Sequence, residues 1–198
     1  MDKFKNKYRI PSARAPFWNY SWEGLYFVTI CTHNQEHFFG EITVGMMKLS
    51  EIGNIVNKEW LKTFVLRPDM NLWMGEYIIM PNHFHAIIGI GKNQFNSDGR
   101  DAVQYKDAVH FRDAKHCVST SQTLNHFTAQ SKNLPSIVRG FKIGVTKNAR
   151  LINPEFTWQT RYHDNIIRND KSYQTIADYI INNPMDWKND KFYCEREE

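Results

Sequence analysis

Two histidines separated by one residue, His83 and His85, and a tyrosine followed four positions later by an asparagine, Tyr179 and Asn183, are of types and spacings that could do chemistry. Side chains at i and i+2 of a β-strand project from one face. Both imidazoles would therefore point the same way, while Phe84 between them points into a core. Two imidazoles on one face can jointly hold a divalent cation and leave positions open for substrate oxygens. In a chain with eight histidines such a pair also arises by chance, so its spacing leaves a structural role as open as a metal-binding one. Tyr179 stands on the flank of a helical apolar stripe formed by Tyr173, Ile176, Ala177 and Ile180, and Asn183 lies on the same side one turn later. A tyrosine so placed can lay its ring on the edge of a core and present its hydroxyl outward. Periodicity alone favours a boundary tyrosine with no chemistry.

The elements that would position these residues follow from pattern. Residues 25–32, rich in β-branched and aromatic types, predict a strand, and residues 38–42 a short strand or hairpin edge. Ser50 is placed to cap a helix in which Leu49, Ile52, Val56, Trp60 and Phe64 recur at helical spacing until Pro68. Two apolar arms, 74–80 and 84–90, flank Pro81 and Asn82 and predict a β-hairpin. Leu134, Val138, Phe141 and Val145, continued by Ile152, form the next stripe, with Arg139, Lys142, Lys147 and Arg150 broadly opposite. A strand over 156–167 and a helix capped by Asn169 and Asp170, running to Pro184, complete the series. Strand, helix, strand, strand, helix, strand predicts a ferredoxin-like βαββαβ α+β sandwich with an extra C-terminal helix carrying Tyr179.

With 198 residues, 41% of them hydrophobic, the chain suits a single folded domain (1–198). Residues 1–22 form a basic arm with Lys3, Lys5, Lys7, Arg9 and Arg14. Residues 92–133 lack sustained periodicity and hold three hexapeptides, starting at Arg100, Lys106 and Arg112, too few for a solenoid core. They read as a flexible surface insertion, its His110 and His116 solvated. The net charge of +4 permits a polyanionic partner without demanding one. Cys31, Cys117 and Cys194 match no zinc spacing and read as reduced thiols. No apolar run is long enough to span a bilayer, and the basic N-terminus has no apolar run behind it, so the expected location is the cytoplasm.

Several segments resemble the single-tyrosine HUH transposases, in the branch of the REP-associated tyrosine transposases. They are Asn19-Tyr-Ser-Trp-Glu-Gly-Leu-Tyr-Phe-Val-Thr-Ile-Cys-Thr32, Met80-Pro-Asn-His-Phe-His85, Ser136-Ile-Val-Arg-Gly-Phe-Lys142 and Trp158-Gln-Thr-Arg-Tyr-His-Asp164. The last leads through Ile166-Ile-Arg168 to Asp178-Tyr-Ile-Ile-Asn-Asn-Pro184. The resemblance implies that His83 and His85 are metal ligands, that Asn183 is the third, where classical insertion-sequence members carry glutamine, and that Tyr179 is the nucleophile. It further implies a divalent ion, Mg²⁺ or Mn²⁺, a covalent 5′-phosphotyrosine, and a substrate of single-stranded DNA carrying an imperfect hairpin, handled by a monomer or homodimer.

Tyr162, expected on a strand, and Tyr173, expected in the buried stripe, are the alternative nucleophiles. DNA contacts are expected from the basic arm, from Arg139, Lys142, Lys147 and Arg150, and from Arg161 and Arg168. Trp18, Tyr20 and Trp22 are candidates for base stacking or, equally, for packing at the sheet edge. Two other readings remain: a non-catalytic protein that binds DNA hairpins, and a metal-dependent phosphodiesterase that uses water and leaves Tyr179 structural.

Overall fold

The computed structural model describes residues 18–96 and 131–194, together with the backbone of β1 (Lys3–Phe4) and β2 (Lys7–Tyr8), which pair with each other. The central sheet contains β3 (Gly24–Cys31), β6 (Leu72–Ile79), β7 (His83–Ile90) and β8 (His163–Ile167). Its order is β6-β7-β3-β8 with every neighbouring pair antiparallel. This is the βαββαβ topology expected from the pattern. β3 and β7 alternate in what they present, while β6 has a register shift between Met74 and Tyr77. Tyr26, Val28 and Ile30 of β3 and Phe84, Ala86 and Ile88 of β7 enter the larger core. They meet Trp60 of α1 (Glu51–Val65) and Phe141 of α2 (Leu134–Ala149), whose rings lie 5.5 Å apart. The odd-numbered positions of β3, β7 and β8 face α3 (Asp170–Asn182), where Ile87 and Ile167 pack on Ala177 and Ile180.

Local signals in the sequence set the helix starts. The Ser50 hydroxyl accepts from the Gly53 amide at 3.0 Å, and Asn169 accepts from the Ser172 amide at 2.8 Å, each satisfying one donor that a helix N-terminus leaves bare.

Three expectations are corrected. The final strand is five residues long rather than spanning 156–167, and Tyr162 lies outside it. Before it, Phe156 and Trp158 turn their rings into the larger core, and the backbone keeps one bridge, Trp158 to Thr32, in place of a ladder. Residues 38–42 lead into a hairpin of β4 (Gly40–Thr43) and β5 (Met46–Leu49), as expected, and Leu49, expected in the helical stripe, instead ends β5 before the helix begins. The stripe of α2 does not continue to Ile152, which is 47% exposed, because the helix stops at Ala149.

The hexapeptides, His110, His116 and Cys117 lie outside the described residues. The flanks of that segment are anchored: Asn96 donates to the Ser21 carbonyl at 3.3 Å, and the Leu134 amide to the Tyr20 carbonyl at 3.0 Å. Cys31 and Cys194 are free thiols. Among the described residues no helix is long and apolar enough to cross a membrane.

Candidate active site

His83 opens β7 and His85 follows two residues on, so the pleat sends both rings to the α3 side, 4.4 Å apart between centroids. Both are completely buried. Each ring is held through Nδ1. His83 Nδ1 lies 2.8 Å from Asn82 Oδ1, and His85 Nδ1 lies 2.8 Å from the Thr29 hydroxyl on the neighbouring strand. The Nε2 atoms are thus the ones left to act. Nε2 of His83 is buried without a hydrogen-bond partner, and Nε2 of His85 lies 3.2 Å from the Tyr179 hydroxyl.

Tyr179 reaches this point because α3 lays its apolar stripe on the sheet and leaves the tyrosine on the flank. Its ring meets Phe27 and His85 edge-on, at 6.3 and 5.2 Å. Its hydroxyl donates to Asp190 Oδ2 at 2.8 Å, and that oxygen also accepts from Asn183 Nδ2 at 2.8 Å. Asn183 is buried, and its Oδ1 has no partner. One donor atom each from His83, His85 and Asp190 lie within 4.8 Å of one another.

Asp190 belongs to a strap, residues 187–194, that closes over the histidines. Phe192 sits 4.8 Å from the His83 ring and Trp187 5.9 Å, while the Phe192 amide donates to Asp190 Oδ1. Nothing in the sequence singled out Asp190. It follows Pro184 beyond the periodic helix, and one aspartate in a stretch of alternating charge has no pattern to mark it. The only available signal was its short separation from Asn183.

The donor set fits a divalent cation. Two imidazoles, a carboxylate and a carboxamide are ligands that Mn²⁺ and Mg²⁺ accept, Mn²⁺ tolerating nitrogen better. Two of these donor atoms, His83 Nε2 and Asn183 Oδ1, are buried orphans, which a protein rarely leaves without a use. Burial pushes the His83 pKa down to about 3, helped by the nearby Lys191 and His37 charges. Burial likewise holds His85 well below its ordinary value, with Asp190 opposing. Both rings are therefore neutral near pH 7, as metal ligation requires. Tyr179 is shifted the other way: burial, then the hydrogen bond and charge of Asp190, raise its pKa, with Asn183 opposing.

The other sequence candidates distribute unevenly. Tyr162 packs against the larger core, and Tyr173 gives its hydroxyl to Glu76, its pKa pushed up to about 12, so neither stands at the histidines. Arg139, Lys147 and Arg150 are exposed, but α2 and its cap lie across the sheet from the His83/His85 face. Lys142 is not a free cation: its Nζ donates to the Gln159 carbonyl at 2.7 Å and sits over Trp158. Arg161 and Arg168 are exposed beside the ends of β8. Lys3 and Lys7 fall in β1 and β2, while Lys5, Arg9 and Arg14 lie outside the described residues. Of the three aromatics considered for stacking, Tyr20 is buried in the core. Trp18 donates to the Tyr26 hydroxyl at 3.1 Å, and Trp22 packs edge-on against Trp18.

No protein-family model matches the chain. A protein of Haemophilus influenzae, described as uncharacterized, is 36% identical over 185 residues, covering 93% of each chain. Among solved structures, a REP-associated tyrosine transposase bound to a REP hairpin superposes with a TM-score of 0.54 at 16% identity, over 90% of this chain and 74% of that one. The chain therefore belongs to one family with the Haemophilus influenzae protein and is built on the fold of a REP-associated tyrosine transposase, the resemblance that its motifs carry.

Proposed function

We propose that this protein is a metal-dependent single-strand DNA endonuclease and strand transferase, transposase-like, acting on hairpin-containing DNA through a covalent 5′-phosphotyrosine. One observation carries the reading: the Tyr179 hydroxyl stands 3.2 Å from His85 Nε2, beside a buried cluster of metal-ligand type. Binding DNA would require none of these groups. The fold supports the reading, and the structural relative's REP hairpin supports hairpin DNA as the partner.

In the proposed reaction the Tyr179 oxygen attacks phosphorus and forms a new P–O bond. The bond from phosphorus to the 3′ oxygen breaks, and that oxygen takes a proton and leaves as a 3′-OH. The phosphotyrosine conserves the energy of the diester, so a second 3′-OH can reverse the step and rejoin strands. Phenol ionisation at pH 7 costs about 4 kcal/mol from an ordinary pKa of ~10, and more where the pKa is raised. His83 and His85, with Asp190 and Asn183, are the residues that would hold Mg²⁺ or Mn²⁺. When bound, such an ion supplies positive charge that lowers the cost of the phenolate and of charge on the phosphate oxygens. Phe27 and the His85 ring fix the direction of the Tyr179 ring, and Asp190 holds its hydroxyl. Tyr179 meets His85 of its own chain, which supports action within one subunit.

The test is Tyr179→Phe on hairpin oligonucleotides with single-stranded flanks, with Mn²⁺. Wild type should form an adduct that survives denaturing electrophoresis, and the variant should bind the hairpin without forming it. Cleavage that persists in the variant would overturn the reading in favour of a water-using phosphodiesterase. A wild type that binds but never cuts would leave a hairpin-binding protein.

A further inference from the structure

Asn82 enters the sequence argument only as a turn residue, yet its side chain is completely buried and fully employed. Its Nδ2 donates to the Phe192 carbonyl at 2.9 Å and approaches Cys194 Sγ at 3.5 Å. A carbonyl accepts only, so the amide cannot be turned around, and Oδ1 must be the atom facing His83. That oxygen in turn accepts only. His83 must therefore carry its proton on Nδ1, which leaves the lone pair on Nε2, the buried atom with no partner. The chain of constraint runs from the strap's backbone, through one carboxamide, to the tautomer of a ring across the site.

We propose that Asn82 is a positioning residue for the metal centre, fixing His83 in the Nδ1–H tautomer with Nε2 aimed at the cation, and that the Phe192 carbonyl sets the direction of Asn82. This rests on the proposed role of His83 as a ligand. The strap thereby contributes to the centre twice, through Asp190 directly and through Phe192 by way of Asn82. His85 has a comparable support in Thr29, but a hydroxyl both donates and accepts, so it orients that ring without dictating its tautomer. The two histidines are thus unequal: one is locked by a residue that has a single possible orientation, the other is steadied by an adaptable one.

The experiment compares wild type, Asn82→Ala and Thr29→Ser. Imidazole ¹⁵N shifts, recorded on chelated protein, report the tautomer, and Mn²⁺ titration followed by electron paramagnetic resonance reports affinity. Wild-type His83 should appear as the Nδ1–H form, and Asn82→Ala should give a mixture of tautomers. Mn²⁺ affinity should fall roughly 10- to 100-fold in Asn82→Ala, as is usual when the outer partner of a ligating histidine is lost, and stay within a few-fold of wild type in Thr29→Ser. In a His83→Ala background the Asn82→Ala change should cost no further affinity, which a merely structural role would not produce. If Asn82→Ala fails to fold, Asn82→Ser is measured in its place. An Nε2–H tautomer in wild type, unchanged Mn²⁺ affinity in a folded Asn82 variant, or an undiminished effect without His83 would each overturn the proposal. Failure of the metal reading itself is distinguishable: wild type would then bind no Mn²⁺ while still showing a single His83 tautomer, and the metal role of Asn82 would fall with it.

Discussion

The two faces of the central sheet are made of the same strands and built for opposite purposes. On one, Trp60, Phe84 and Phe141 interlock with their rings 5.0 to 5.5 Å apart, inside a cluster that takes in Val28, Ile30, Val138 and Val145. On the other, the buried cluster under α3 is small, Ile87, Ile167, Ala177 and Ile180. Beside it lie His83, His85, Thr29, Asn82 and Asn183, which are the buried polar side chains of the described residues apart from Thr32 and Thr63. Burying polar groups costs stability unless each is paired, and here two acceptor atoms are left unpaired. One face accumulates the hydrophobic free energy that the other spends in holding reactive groups out of water.

That contrast can be broken at its most extreme point by the pair His83→Ala/His85→Ala. It should abolish the covalent adduct altogether, judged by denaturing electrophoresis with Mn²⁺, while costing less stability in urea than truncation of a ring in the larger core. A large loss of stability would show that the polar face also holds the fold together. On the opposite face, Trp60→Ala should cost about 3–5 kcal/mol in urea unfolding, by removing a wholly buried ring from a packed cluster. A cost under 1 kcal/mol would contradict the division of labour.

The third test uses pH on chelated protein. His83 is neutral when folded, with its pKa at about 3, whereas the unfolded chain takes up that proton near 6.5. Between those values the unfolded state binds more protons. The stability is therefore complete above about pH 6.5 and is lost as pH falls towards 3, by up to roughly 1.4 kcal/mol per pH unit for each such histidine. His83→Gln should flatten the slope, and an unchanged slope would place its origin elsewhere. The smallest effect is expected from Ser50→Ala, about 1 kcal/mol through loss of the α1 cap, with adduct formation unaltered.

The apolar face was the more legible of the two in the sequence. Ile52, Val56, Trp60, Phe141 and Val145 announce themselves by periodicity, and Ser50 and Asn169 by capping chemistry, because these signals are local. On the site face only the His83/His85 spacing is local, and by itself it decides nothing. Tyr179 and Asn183 gained meaning from motif order. Asp190 and the second task of Asn82 were not legible, since both depend on the strap returning to the turn between β6 and β7. Asn82 and Phe192 are 110 residues apart in the chain. The start of the 156–167 strand was lost for a related reason: Phe156 and Trp158 have strand-like composition but turn into the core.

The anchored flanks at Asn96 and Leu134 have a consequence for how such a chain can vary. They are tied to the carbonyls of Ser21 and Tyr20, two consecutive residues, so Asn96 and Leu134 are held close to one another. A cassette set there can be lengthened, shortened or exchanged with little change in closure entropy, which grows only with the logarithm of its length. A short linker joining Asn96 to Leu134 should leave both faces of the sheet as they are.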